Sequence, residues 1–213
     1  MQLGLTADEV LTTTRSVRKR LDFDRPVERS VIEECIDIAL QAPTGSNRQA
    51  WQWVVVEDAA LKEKICAYYK ANFDQYRQMP GPEYEAGDTR GERRDKVVDS
   101  ATYLSENFHK APFLVIPCHE GRIDGQPGVV QAGYWGSILP AVWSFMLALR
   151  ERGLGSAWTT LHLPNEKEVA ELLGIPHDKV MQAGLFPVAY TKGTEFKKAP
   201  RLPAAELIHW DRW

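Results

Sequence analysis

Ala42-Pro43-Thr44-Gly45-Ser46-Asn47-Arg48-Gln49-Ala50-Trp51 runs from the end of an apolar helical pattern into Trp53-Val54-Val55-Val56, which reads as a buried strand. Pro, Gly, Ser, Thr, Asn and Gln gathered in one turn offer backbone N–H groups and short polar side chains to a ligand. Upstream, Arg15-Ser16-Val17-Arg18-Lys19-Arg20 holds guanidinium groups of the kind that clasp a phosphate, with Ser16 adding a hydroxyl donor. Taken singly, each stretch has a plain alternative: a basic run exposed after a helix, and a helix-to-strand loop whose Gly and Asn only form the turn. Taken together they suggest a phosphorylated, ring-bearing ligand.

Composition frames that suggestion. A chain of 213 residues with 44% hydrophobic content suits one domain over 1–213. A net charge of -3 and a pI near 6.0 argue against a nucleic-acid partner. Cys35, Cys66 and Cys118 lie far apart, so neither a zinc site nor a disulfide framework is indicated, and a cytoplasmic location is expected. No leader pattern opens the chain and no apolar run approaches the roughly 20 residues of a bilayer span, so no membrane partner is expected. Trp210 and Trp213, near the end of the chain, suggest a surface for a partner.

Thr6-Ala7-Asp8-Glu9 has the form of a capping box and starts a short helix that delivers Arg15. A second helix follows Pro26, and Asp58 caps a third. From Lys70 to Asp99 turn-rich and charged residues break the pattern, giving a partly helical surface excursion. Phe113–Cys118 reads as a second buried strand, and an apolar helix runs from about Gln131 to Arg152, ended by Gly153. Ser156–Leu161 and Val180–Ala189 read as further strands, separated by a helix for which Asn165 is the expected N-cap. Residues 191–213 form a Pro- and Lys-rich arm. Strands alternating with helices predict an α/β or α+β fold. His109, His119, His162, His177 and His209 are scattered without metal-site spacing, and Gly153-Leu154-Gly155 is too short for a dinucleotide fingerprint.

The two polar clusters, in this order and one helix apart, resemble the nitroreductase family of FMN-dependent oxidoreductases. Arg15-Ser16-Val17-Arg18 matches the family's first motif. The second, Ala-Pro-Ser-x-x-Asn-x-Gln-Pro-Trp, is matched from Ala42 to Trp51, with Thr44 for the first Ser and Ala50 for the usual Pro. Gly153–Trp158 and the basic tail around Arg201 extend the likeness over nearly the whole chain.

The resemblance implies an α+β fold in α/β/α layers. Its mixed sheet is flanked by helices, in an entwined homodimer whose C-terminal arms exchange. It assigns Arg15, Ser16, Arg18, Arg201 and, more weakly, Lys198 to the FMN phosphate. Pro43, Thr44, Gly45, Ser46, Asn47 and Gln49, from the partner subunit, would lie along the flavin. Thr159, Thr160 and Leu161 would bring backbone N–H groups near its reactive nitrogen. No catalytic side chain and no metal are implied. His162 stands where some members carry Glu. The 70–99 region is often a lid there, making Phe73, Tyr76 and Tyr84 candidate substrate contacts; a solvated loop over tucked aromatics is the alternative.

The implied activity is ping-pong transfer of hydride from NAD(P)H through FMN to a small electron acceptor such as a nitroaromatic or quinone. Two alternatives stand beside it. One is a same-fold enzyme that dehalogenates iodotyrosine, degrades flavin or oxidises thiazolines. The other is a protein that binds or sequesters flavin without turnover.

Overall fold

The computed structural model describes residues 2–84 and 88–213. In chain order the elements are α1 (Ala7–Thr13), β1 (Leu21–Asp22), α2 (Arg29–Ala39), β2 (Trp51–Val56), α3 (Ala59–Tyr76), α4 (Thr89–Glu92), α5 (Arg94–Asn107), β3 (Phe113–Glu120), α6 (Gly128–Glu151), β4 (Leu154–Gly155), α7 (Glu166–Leu173), β5 (Val180–Gln182) and β6 (Phe186–Thr191). The sheet order is β1-β6-β3-β2, with β4 also on β6 and β5 also on β3. Its ladders are antiparallel, and the parallel pairing among the described residues is the bridge between Ser16 and Ser156.

Alternation along β3 builds both helix layers. Phe113 and Val115 join Ile32 and Cys35 of α2 and Phe145 and Leu149 of α6. Leu114, Ile116 and Cys118 join Ile65 and Tyr69 of α3, Leu104 of α5 and Val169 of α7. Each fully buried Leu, Ile or Phe adds about 1.5–3 kcal/mol, which makes β3 the spine of an α+β fold in three layers. Local signals hold the helix ends. Thr6 and Glu9 form a complete capping box, Asp58 accepts from the Leu61 N–H at 2.9 Å, and Gly153 and Gly174 take φ near +70°, where a Cβ is strained.

Several expectations are corrected. Val54–Val56 is not a buried run: β2 is an edge strand and Val55 is 38% exposed. The region from 70 to 99 is partly helical, as expected: α3 continues to Tyr76, α4 covers Thr89–Glu92 and α5 begins at Arg94, while residues 85–87 lie outside the described residues. Asn165 makes no side-chain cap; its Oδ1 accepts from Asn72 Nδ2 at 2.9 Å instead. α6 does contain an 18-residue window of mean hydropathy 1.3, long and apolar enough to span a bilayer by composition. Ile138, Ala141, Val142 and Phe145 of this helix are instead buried in the core.

The expected strand Val180–Ala189 is two strands, and β3 explains the break. Cys118 pairs with Gln182 and Val115 with Phe186, leaving Ile116 and Pro117 opposite Ala183, Gly184 and Leu185. Pro117 accepts from the Ala183 N–H at 2.8 Å but has no N–H to return, so the extra residue bulges out there. The bulge in turn receives the chain that was expected to be a strand at Ser156–Leu161. That stretch meets its neighbours through two isolated bridges, Ser16 to Ser156 and Thr159 to Leu185.

Candidate functional site

Beyond α1 the chain is pinned by the Val17 N–H, which donates to Ser156 O at 2.8 Å, and by the buried Val17 side chain. This anchor sets Arg15, Ser16 and Arg18 on the wall of a cleft of about 490 Å³. Arg201 reaches the same cleft from the C-terminal stretch, Trp143 from α6 and Trp158 from the segment after β4. Arg93 and Lys96, at the start of α5, complete it. No carboxylate pairs with any of these five cations among the described residues. Burial first, then repulsion from Arg201 and Arg93, holds Arg15 below the ordinary guanidinium range. Uncompensated guanidinium groups beside tryptophans match a phosphate joined to a flat ring system, so the cleft fits the phosphate end of FMN. Lys198 is exposed and outside the lining.

The loop after α2 is held under backbone strain. Ser46, Asn47 and Gln49 take φ of 52°, 52° and 49°, the left-handed region that costs side-chain-bearing residues of order 1–3 kcal/mol each. Gly45 donates to Ser137 Oγ at 3.0 Å, the Gln49 N–H donates to Thr44 Oγ1 at 3.3 Å, and the Trp51 indole donates to Ser137 O at 2.8 Å. These bonds clamp both ends of the loop while Pro43 and residues 45–49 stay exposed. Gly45 and Ser46 line a second cleft of about 710 Å³ with Arg48, His119, Arg122 and Tyr134. The two polar clusters therefore face different clefts of one chain.

Thr159 lies against the bulge, bonded twice to Leu185, and Leu161 O accepts from Asn72 Nδ2 at 2.8 Å. Thr160 is exposed between them. Next to them His162 is fully buried. The Gln182 amide nitrogen donates to Glu166 O at 2.9 Å, so its Oε1 accepts from His162 Nε2 at 3.1 Å, and His162 Nδ1 is left buried without a partner. Burial pulls this imidazole down to about 4, against the raising effect of the Gln182 bond.

Phe73, Tyr76 and Tyr84 line a third cleft of about 400 Å³, which shares Val97 of α5 with the basic cleft. Phe73 is buried and Tyr76 exposed. The residues that sequence reasoning missed are Arg93, Lys96, Trp143 and Trp158. The basic run Arg93-Arg94-Asp95-Lys96 was the visible sign of the two cations and read as a surface excursion, while Trp158 ended the Gly153–Trp158 stretch that carries the likeness and Trp143 lay within an apolar helix.

The nitroreductase family model matches residues 11–190. The chain is 27% identical over 202 residues to an iodotyrosine deiodinase of Thermotoga neapolitana, with 93% of this chain and 94% of that protein covered. Its structure is similar to that of the FMN and NADPH-dependent nitroreductase NfnB from Sphigopyxis sp. strain HMH, at 25% identity and a TM-score of 0.68 over 98% and 100% of the two chains. It shares its fold with an oxidized iodotyrosine deiodinase bound to FMN and 3-iodo-L-tyrosine, at 24% identity and a TM-score of 0.71 over 93% and 96%.

Proposed function

The chain belongs to the nitroreductase family, and from that premise we propose that it is an FMN-dependent oxidoreductase that takes reducing equivalents from NAD(P)H and delivers them to a small electron-poor acceptor. The observation that carries this reading is the cleft of five cations without a carboxylate partner among the described residues, flanked by Trp143 and Trp158. Arg15, Arg18 and Arg201 would hold the phosphate, with Ser16 donating a hydroxyl hydrogen bond. When bound, FMN supplies two-electron chemistry, accepting a hydride from the nicotinamide and passing reducing equivalents on. The chain's own part is to hold the ring beside the backbone at Thr159, Thr160 and Leu161, to set fixed positive charge near it and to leave a face open for flat molecules.

Two chains would be needed. The strained, exposed loop from Pro43 to Gln49 contributes to a different cleft from the basic one of its own chain, which supports a homodimer in which this loop meets the partner's FMN. Trp210 and Trp213, 83% and 102% exposed, give the C-terminal arm apolar surface to exchange with that partner. The three free cysteines are buried, their thiols pushed up to about 12 chiefly by burial, which suits a reducing, cytoplasmic setting. A second reading, reductive removal of iodine from an aromatic ring, has the likeness to the Thermotoga neapolitana enzyme in its favour.

The test is the visible absorption spectrum of the purified protein before and after anaerobic addition of NADPH, then NADH. The expected result is a flavin spectrum that bleaches with either nicotinamide. A colourless protein that also fails to take up added FMN would end this reading. Turnover of a nitroaromatic against 3-iodotyrosine then separates the two acceptors.

A further inference from the structure

Resting on that reading, we propose that Arg20 is a positioning residue for flavin binding: it fastens the turn from Lys192 to Phe196 and thereby delivers Arg201 to the phosphate cleft. Arg20 belongs to the same basic run as Arg15 and Arg18, yet it lies outside the lining of the basic cleft.

Its guanidinium is engaged by one short segment. Nε donates to Lys192 O at 3.0 Å, Nη2 to Gly193 O at 2.8 Å and Nη1 to Glu195 O at 2.8 Å. The Arg20 carbonyl in turn accepts the Lys192 N–H at 2.8 Å. These carbonyls follow β6, whose ladder to β1 ends where Thr191 pairs with Leu21, so the side chain supplies donors that the sheet no longer offers. The turn is shaped around it: Gly193 takes φ of 73°, and a Cβ there would come to 3.2 Å from Nη2. Arg20 Cζ also stands 4.0 Å from the centroid of the Phe196 ring, a cation–π contact. Arg150 Cζ stands 5.0 Å from the same centroid, and its Nε donates to Thr13 Oγ1 at 3.2 Å. The anchor therefore joins α1 and α6 to the stretch after β6.

What the anchor holds is the path to Arg201. Phe196 precedes Arg201 by five residues, a reach of at most about 18 Å. Among the described residues no backbone hydrogen bond ties residues 197–202 to another element, so the anchor is the last fixed point before Arg201. Without it that point moves back to Thr191, whose N–H donates to Gly153 O at 3.0 Å, and the free span doubles from five residues to ten. Doubling a flexible span lowers the effective concentration of its end about threefold. Arg201 shares the cleft with Arg15 and Arg18, so a phosphate bound there would lose affinity by that factor. Arg20 itself is not placed to act on the phosphate, because each of its three nitrogens already donates to a carbonyl.

The experiment titrates the full-length chain, stripped of flavin, with FMN and with riboflavin, which has the same ring and no phosphate. Wild type is compared with Arg20→Ala, Arg20→Lys, Arg201→Ala and the Arg20→Ala, Arg201→Ala double variant. Arg20→Ala is expected to weaken FMN about threefold, to leave riboflavin unchanged and to add nothing once Arg201 is gone. Arg20→Lys keeps the charge but not the fork that reaches three carbonyls, so it should behave as Arg20→Ala does. Undiminished FMN affinity in Arg20→Ala, or wild-type affinity in Arg20→Lys, overturns the proposal. So do equal losses of FMN and riboflavin, and so does a loss that persists when Arg201 is already absent. Phe196→Leu, which removes the ring and keeps Arg20, carries the same expectation and decides the matter if Arg20→Ala does not fold. A wild-type chain that binds neither flavin marks instead the failure of the cofactor reading, and the proposal falls with it.

Discussion

Leu185 donates its backbone N–H to the carbonyl oxygen of Thr159 at 2.8 Å, and the Thr159 hydroxyl donates back to the Leu185 carbonyl at 2.6 Å. This doubled contact ties the 159–161 segment to the sheet at the bulge opposite Pro117. Gly184 makes the approach possible, because a Cβ there would lie 3.1 Å from Thr159 O and 2.8 Å from Phe186 Cε2. Gly184→Ala should cost about 1–3 kcal/mol of stability, read from urea unfolding, and shift the flavin absorption band of the loaded protein. An unchanged band in a destabilised variant would detach this segment from the flavin.

Among the described residues Arg18 donates only weakly, to Ser100 Oγ at 3.5 Å, which leaves its guanidinium available to an anion. Loss of a charge-assisted bond of about 1.5–3 kcal/mol predicts that Arg18→Ala weakens FMN binding roughly 10- to 100-fold. The loss should shrink as salt rises. Fluorescence titration of the apoprotein measures both, and undiminished retention would remove Arg18 from the phosphate site.

His162 predicts a specific acid sensitivity. Its folded-state value, about 4, lies below the usual 6.5, so the unfolded chain takes up a proton that the folded one refuses. The stability is therefore intact above about pH 6.5, declines as pH falls towards about 4, and declines no further below it. Wild type should lose on the order of 2–3 kcal/mol more than His162→Gln between pH 7 and pH 4, from denaturation midpoints. Parallel profiles for the two proteins would mean that the imidazole does not control this window.

Ser137 holds the strained loop from α6, accepting the Gly45 N–H through its hydroxyl and the Trp51 indole N–H through its carbonyl. Ser137→Ala removes the first, together with the hydroxyl's own bond to Gly133 O at 2.9 Å, and keeps the second. A loss of about 1 kcal/mol is expected, together with faster amide exchange at residues 45–49, read by mass spectrometry. Slow exchange in the variant would show that the loop is held by its remaining bonds alone.

The exposed arm makes a prediction about assembly. Removal of residues 203–213, which takes away Leu207, Ile208, Trp210 and Trp213, should shift the proposed dimer towards monomer in light scattering and lower the FMN content expected of it. A truncated protein that stays dimeric and yellow would relieve the arm of that role.

The chemistry legible in the chain was the kind that acts over a few residues. Thr6 with Glu9, Asp58 before α3, Gly153 and Gly174 at helix ends, and the apolar run from Phe113 to Cys118 each carry their own structural instruction, because caps, positive φ and alternation are local effects. The clusters at Arg15–Arg18 and Pro43–Gln49 were legible for the same reason, and so was the family they resemble.

Tertiary structure alone decided which groups meet. Arg93 and Lys96 join Arg15 only because α5 brings them to the same cleft, and Coulomb interactions depend on distances that sequence separation does not encode. The final strand divides because a proline in the neighbouring strand withholds a donor, and His162 loses its proton affinity through burial by other elements. Sequence by itself determined the local elements and the two polar clusters. Packing determined their shared clefts, because burial and charge are properties of the space around a residue.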